Sequence, residues 1–239
     1  MPAARYSRVI LKISGESLSG GNGVPVSGAA AERVAREIKD AVDLGAQVGV
    51  VIGGGNIVRG VAAEAAGADR VAADFAGMAA TIVNGLTLTS ALEAVGLRSA
   101  HMSAVPCGRI GRAYDRGEAD ALLSSGAVVV FTAGTGNPFF STDTAAVLRA
   151  AELGADALLK ATQADGVYDS DPATNPEAVR FDEVTYQEMI ERRLAVMDMT
   201  AVSLAREQNV PLVVFALSVP GNVARAVSGE RVGTIVKGG

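Results

Sequence analysis

Residues 135–144 of this 239-residue chain read Thr-Gly-Asn-Pro-Phe-Phe-Ser-Thr-Asp-Thr. They join the apolar run Ala127-Val128-Val129-Val130-Phe131, which reads as a buried strand, to an alanine-rich segment, 145–151, which reads as a helix. Glycine, asparagine and hydroxyl side chains at a strand-to-helix junction suit an anion. The N–H groups of a helix's first turn lack intrahelical partners and carry partial positive charge. A second such junction follows residues 47–52: Gly53-Gly54-Gly55-Asn56-Ile57-Val58-Arg59-Gly60. Two anion-accepting loops in one chain point to two phosphate-bearing ligands, and hence to phosphoryl transfer.

Cations for such chemistry are few. The chain has four lysines, Lys12, Lys39, Lys160 and Lys237. Lys12 and Lys160 fall within or at the end of apolar strands. Lys12 precedes Ser14-Gly15-Glu16-Ser17, where an ammonium beside a glycine turn can meet phosphate oxygens as a point charge. An edge-strand lysine facing solvent is the equal alternative for either. Arg59 follows the three glycines within one helical turn. Asp143, in the first turn of its helix, reads either as a carboxylate favoured by the helix dipole or as an acceptor that orients a catalytic lysine. Asp74 sits in a helical pattern, as an exposed carboxylate or an acceptor for ribose hydroxyls. In Asp165-Gly166-Val167-Tyr168 the turn ends on an aromatic able to stack on a base.

Other chemistries lack their parts. The third glycine of a Gly-x-Gly-x-x-Gly dinucleotide fingerprint would fall at Val58, and no Gly-x-x-x-x-Gly-Lys-Ser/Thr loop exists. With one cysteine, Cys107, and one histidine, His101, the chain has no disulfide framework and no cysteine-based zinc site. Without a Gly-x-Ser-x-Gly elbow, a serine hydrolase is not indicated. Both residues read as packing groups. Net charge is −5 and no basic run occurs, which disfavours nucleic acid as a partner.

The elements that must position these residues alternate along the chain. Strands are expected over 8–14, 47–52, 97–103, 127–132, 157–161, 211–216 and 234–236. Helices are expected over 29–44 (Ser27 as cap), 71–95, 142–153, 186–194, 199–208 and 222–228, with a looser Gly- and Arg-containing segment after Ser103. This alternation predicts an α/β fold: a three-layer α/β/α sandwich around a mostly parallel sheet, its ligands bound across strand-end loops. Residues 1–239 read as one domain, with soft lobes at 1–155 and 156–239. The polar first seven residues suggest no leader, and no apolar stretch looks long enough, at about 18 residues, to span a membrane. A cytoplasmic location is expected.

Read together, Leu11-Lys12-Ile13-Ser14-Gly15-Glu16, Val51 to Asn56, Arg59-Gly60, Thr135 to Asp143, Leu159 to Thr162, Asp165 to Tyr168, Asp171-Pro172 and Val196 to Ala201 resemble the bacterial uridylate kinases (UMP kinases) of the amino acid kinase superfamily. The resemblance runs from about Arg8 to Val236. It implies ATP + UMP → ADP + UDP in pyrimidine nucleotide biosynthesis, with Mg²⁺ held through the ATP phosphates rather than by a protein metal site. Lys12, Arg59 and Asp143 would be catalytic. Lys12, Ile13, Ser14, Gly15, Gly55, Arg59, Thr162, Gln163, Tyr168 and Asp171 would bind ATP. Gly54, Asp74, Thr135, Gly136, Asn137, Pro138, Phe139, Phe140, Ser141 and Thr142 would bind UMP. It further implies a homohexamer activated by GTP and inhibited by UTP, with Gly20, Gly21, Asn22, Gly23, Val24 and Pro25 at the position of a GTP-activation segment. Val58, Ala76 and Gln163 depart from the family pattern, at positions expected to bear on nucleotide affinity and allosteric response. A sister kinase acting on a carboxylate should place an extra cation at the acceptor, which Asn137-Pro138-Phe139-Phe140 does not offer. A non-catalytic storage protein on the same fold would have no need of Lys12, Arg59 and Asp143.

Overall fold

The structure, a computed structural model, describes residues 4–21, 23–58, 67, 69–194 and 196–238. Among them are nine strands: β1 (Arg8–Ile13), β2 (Gln47–Ile52), β3 (Ser99–Ser103), β4 (Arg112–Ala113), β5 (Val128–Thr132), β6 (Ala157–Thr162), β7 (Glu183–Thr185), β8 (Leu212–Ala216) and β9 (Thr234–Lys237). They form one sheet in the order β4-β3-β5-β2-β1-β6-β8-β9-β7. Every pairing is parallel except β8 with β9. The helices are α1 (Gly28–Asp43), α2 (Arg70–Ala94), α3 (Arg116–Ser124), α4 (Thr142–Glu152), α5 (Tyr186–Arg192), α6 (Met199–Glu207) and α7 (Asn222–Val227), with a 3₁₀ turn at Gly15–Leu18.

The central strands are nearly continuous apolar runs because both of their faces are covered, as a parallel sheet requires. Alternate residues of β1 go to opposite faces. Ile10 joins the core under α3, α4, α5 and α6. Val9, Leu11 and Ile13 join the core under α1, α2 and α7. The three expected layers are present. β1 lies centrally, between β2 and β6, so the chain leaves it toward one side of the sheet and later returns on the other. Such a reversal opens a crevice at the carboxyl ends of the strands, where open α/β sheets bind ligands.

The segment after Ser103 is more regular than its composition suggests. It holds β4 and the nine-residue α3, capped by Asp115, whose side chain accepts from the Glu118 N–H at 2.8 Å. With only Ala119 and Leu123 buried, α3 carries too short an apolar stripe to stand out in the sequence. β7 is similarly hidden: three residues long, it buries Val184 alone. A second correction concerns length. Helix α2 runs 25 residues and is, by length and composition, apolar enough to cross a membrane. In the fold it lies on the sheet, with Leu88 and Leu92 in the core and Asn84 fully buried beside them.

Candidate active site

Lys12 on β1 and Lys160 on β6 are register partners, so their side chains leave the same face of adjacent strands. Two neighbouring ammonium groups repel each other unless an anion stands between them. Asp143 is that anion. Its Oδ1 lies 2.8 Å from Lys12 Nζ, as an ion pair without hydrogen-bond alignment, and its Oδ2 accepts from Lys160 Nζ at 2.5 Å. All three side chains are at most 14% exposed. Burial opposes ionisation of Asp143, but the two lysines outweigh it and hold the carboxyl below its ordinary range. Burial also dominates at Lys160, which lies below its ordinary value despite the opposing pull of Asp143.

The glycines explain how backbone comes so near. A Cβ on Gly15 would lie 2.6 Å from the Gly53 carbonyl oxygen and 2.2 Å from Asn56 Oδ1, so the turns after β1 and β2 can touch only through a residue without a side chain. A Cβ on Gly54 would lie 2.7 Å from the Gly77 carbonyl oxygen of α2. The buried Asn84 pins this loop: its Nδ2 donates to the Gly53 carbonyl and to Asn56 Oδ1, each at 2.7 Å. Asn56 Nδ2 in turn donates to the Pro25 carbonyl at 2.6 Å.

The loop from β5 to α4 forms the opposite wall. Thr81 Oγ1 accepts from the Ala133 N–H at 2.6 Å, and Asp74 Oδ2 accepts from the Phe139 N–H at 2.7 Å. Phe139 has a left-handed backbone (φ 70°), an unusual state for a bulky residue. Asp74 fastens it there, and the Arg70 guanidinium lies 5.6 Å from its ring centroid. Asp74 is therefore no idle surface carboxylate: Arg70 Nε bonds both its oxygens at 3.0 Å, and it faces the loop. A cavity of about 130 Å³ lies here, bounded by Gly54, Gly55, Val58, Asp74, Thr135, Phe140 and Thr142. At the head of α4, Ser141 Oγ accepts from the N–H groups of Asp143 (3.0 Å) and Thr144 (3.1 Å).

Past the carboxyl ends of β1 and β6, a cavity of about 510 Å³ includes Ser14, Thr162 and Gln163 in its lining. Gln163 Nε2 donates to Glu16 Oε2 at 3.1 Å. Tyr168 and Asp171 are outside that lining, farther along the loop that follows β6. Tyr168 donates its hydroxyl to Asp165 at 2.6 Å, and Asp171 Oδ1 accepts from the Ala173 N–H at 2.9 Å. Arg59 and Gly60 lie outside the described residues, as does Asn22. The rest of the 20–25 segment is a turn in which the Gly20 N–H donates to the Val24 carbonyl at 2.9 Å. His101 packs as expected: it is buried, and its Nε2 lies 2.7 Å from Thr132 Oγ1. Cys107 is half-buried, its Sγ 3.6 Å from the Gly111 carbonyl oxygen.

The sequence leaves Lys160 equally between phosphate contact and solvent, and pairing on adjacent strands decides for the site. Asp198 stands in the sequence only within the stretch of resemblance from Val196 to Ala201, without a role of its own. Asn84 is the participant that sequence reasoning misses, its one faint signal being a polar side chain amid an apolar helix.

Both oxygens of Asp143 face ammonium groups, so the donors gathered here suit phosphate oxygens, and a divalent cation would depend on ligands brought by the phosphates themselves. The amino acid kinase family profile matches residues 7–216. A uridylate kinase of Marinobacter nauticus is 50% identical over 233 residues, covering 98% of this chain and 96% of that protein. One from Brucella anthropi is 49% identical, covering 97% and 96%. The crystal structure of UMP kinase from Bacillus anthracis superposes with a TM-score of 0.93 at 40% identity, covering 97% of this chain and 96% of that one. Uridylate kinase from Archaeoglobus fulgidus gives 0.74 at 31%, covering 95% and 99%. With its two lysines bridged by an aspartate at the carboxyl ends of a parallel sheet, this chain belongs to the amino acid kinase family, alongside the uridylate kinases.

Proposed function

We propose that the protein is a UMP kinase, transferring the γ-phosphoryl group of ATP to UMP to give ADP and UDP in pyrimidine nucleotide metabolism. The observation that carries this reading is the Lys12–Asp143–Lys160 bridge set between a glycine loop and a helix N-terminus. Full-length similarity to uridylate kinases supports it.

A UMP phosphate oxygen attacks the γ-phosphorus as the bond from that phosphorus to the β,γ-bridging oxygen breaks, and ADP leaves. The nucleophile is already an anion, so no general base is needed. The chain's work is in-line positioning and neutralisation of charge on the migrating PO₃ group. Lys12 and Lys160 supply cations, and Arg59 adds one by its place in the motif. The N–H groups of Gly54 and of Thr142 at the head of α4 supply donors, since those of Gly53, Asp143 and Thr144 are held by Ile13 and Ser141. Asp143 stays ionised and holds the two lysines together. Gly54, Asp74 and residues 135–142 take the UMP side. Ile13, Ser14, Gly15, Gly55, Thr162, Gln163, Tyr168 and Asp171 take the ATP side, so the single domain has a lobe that serves mainly the acceptor (1–155), with the turns after β1 and β2 reaching the donor, and a lobe that serves mainly the donor (156–239). Mg²⁺, if brought on the ATP phosphates, would offset donor charge.

Self-association into a homohexamer, cytoplasmic residence, GTP activation and UTP inhibition belong to the same reading. The exposed face of α2 supports self-association: Ala72, Ala76, Ala79, Val83, Leu86 and Ser90 recur at alternating spacings of four and three, a seam suited to pairing with another helix. The Asn56 bond to the Pro25 carbonyl supports an effect of the 20–25 segment on the glycine loop.

ADP release from ATP and Mg²⁺ in the presence of UMP, CMP, dUMP, AMP, acetylglutamate or aspartate tests the assignment. Turnover is expected with UMP. Rapid turnover with only acetylglutamate or aspartate overturns it, and silence across the panel favours a binding protein without catalysis.

A further inference from the structure

Asp198 lies just ahead of α6 and caps it, Oδ1 accepting from the Ala201 N–H at 3.1 Å. Its carboxylate also reaches a second helix. Ser141 Oγ donates to Asp198 Oδ2. Thr144 Oγ1 lies 3.2 and 3.3 Å from the two oxygens and donates to the carboxylate. One carboxylate thus sits between the N-termini of α4 and α6, where both helix dipoles favour its charge.

The Ser141 contact has a geometric consequence. A serine hydroxyl has one proton and rotates freely until that proton is committed. Donation to Asp198 commits it, and this turns the Ser141 lone pairs toward the N–H groups of Asp143 and Thr144 that they cap. The backbone so fixed is that of the residue whose carboxylate separates Lys12 from Lys160.

We infer that Asp198 is a positioning residue for phosphoryl transfer, holding the first turn of α4 through Ser141 and Thr144 so that Asp143 stays aimed between the two lysines. This rests on the phosphotransfer reading of the same site. A second influence accompanies the geometric one. The charged groups facing Lys160 among the described residues are Asp143 from α4, Lys12 from β1 and Asp198 itself, while β8 offers Val214 at the register position. Lys12, Lys160, Asp143 and Asp198 balance to zero, so loss of the Asp198 charge leaves the two ammonium groups less compensated and makes Lys160 easier to deprotonate.

The test compares wild type, Asp198→Asn, Asp198→Glu and Thr144→Val, each first checked for folding by thermal melting. If wild type turns over UMP, the kinase reading stands and the variants address Asp198 alone. Asp198→Asn should lower kcat by about tenfold to a hundredfold, the scale of a misplaced supporting group, with a smaller change in KM. The alkaline limb of its kcat profile should move to lower pH, and Asp198→Glu should return the limb toward wild type. Thr144→Val should lower kcat less, and should add little in the Asp198→Asn background. With only four lysines, the titration of Lys160 can also be followed by NMR without turnover. It should move to lower pH in Asp198→Asn, which keeps the inference testable if wild type is inactive. A folded Asp198→Asn with unchanged kcat and an unmoved Lys160 titration overturns the inference, as does a lower melting temperature with no change in the pH limb. Should Asp198→Asn not fold, an unchanged kcat in folded Thr144→Val overturns it.

Discussion

Two ammonium groups and one carboxylate, all at most 14% exposed, set the chemistry at the residue scale. Lys12 meets charge that develops during transfer, so its effect belongs mainly to the transition state. Lys12→Ala should reduce kcat by about a hundredfold or more while changing UMP affinity far less. Steady-state kinetics beside equilibrium UMP binding separate the two, and an unaltered kcat would mean that the lysine is structural. The pH dependence follows from burial. Asp143 lies below the ordinary carboxylate range, so its contribution to stability is present at neutral pH and is lost only as pH falls through that lowered value. His101 behaves differently. Burial lowers its pKa from 6.5, against the opposing Ile110 backbone bond, so the unfolded chain takes up a proton first on acidification. Its effect on stability is absent well above pH 6.5 and becomes a loss as pH falls below it. Urea midpoints between about pH 5 and 8 should therefore fall on the acid side, and less so in His101→Gln, a window set by the ordinary histidine range. Equal slopes in the two proteins would assign the acid loss elsewhere.

At the scale of elements, the site is an agreement between turns. The turn after β1 touches the turn after β2 through Gly15, and the turn after β2 touches α2 through Gly54. Gly54→Ala would press a methyl group on the Gly77 carbonyl, whose helix is anchored by Leu88 and Leu92. The turn should yield, at a cost of about 1–3 kcal/mol in denaturant unfolding, with a larger fall in activity than Ala causes at the open Gly55. Equal activity in the two variants would show that the loop tolerates the shift. Asn84→Ala leaves the Gly53 carbonyl without its buried donor and should cost about 1–3 kcal/mol by the same measurement. These contacts were not legible in advance. The Gly-Gly-Gly-Asn run announced a close approach, but nothing in it named Gly15 or Asn84 as the partner.

For the whole molecule, helix α2 is the informative element. Its inner side packs on the sheet, while Phe75 (47%), Val83 (48%) and Leu86 (41%) remain exposed. A two-fold axis near residue 81 would set Ala76 against Leu86 and Ala79 against Val83 in an antiparallel pair, small against large, with the Arg70 end near the Glu93 end of the other copy. Self-complementarity of this kind is what a symmetric interface requires. Leu86→Glu should lower the mass measured by sedimentation while leaving the monomer fold intact by circular dichroism. An unchanged mass would place self-association on another surface.

The sequence by itself determined the order of the longer strands and helices, because buried parallel strands must be apolar throughout and helices must carry a stripe, whereas β4, β7 and the short helix α3 bury too little to show. It determined the two anion-accepting junctions as well, since glycine and capping residues act over a few positions. Asp143 and Lys12 could be suspected for the same local reason. It could not decide Lys160 between phosphate contact and solvent, because the strand that pairs with β1 on that side arrives about 150 residues later, and only the register places the second ammonium beside the first. The tertiary structure likewise decided the bond from Asp74 to Phe139, the Asn84 anchor and the reach of Asp198 from one helix to another. Each joins groups distant in sequence, and the closing distance is set by how the layers pack, which no local pattern encodes.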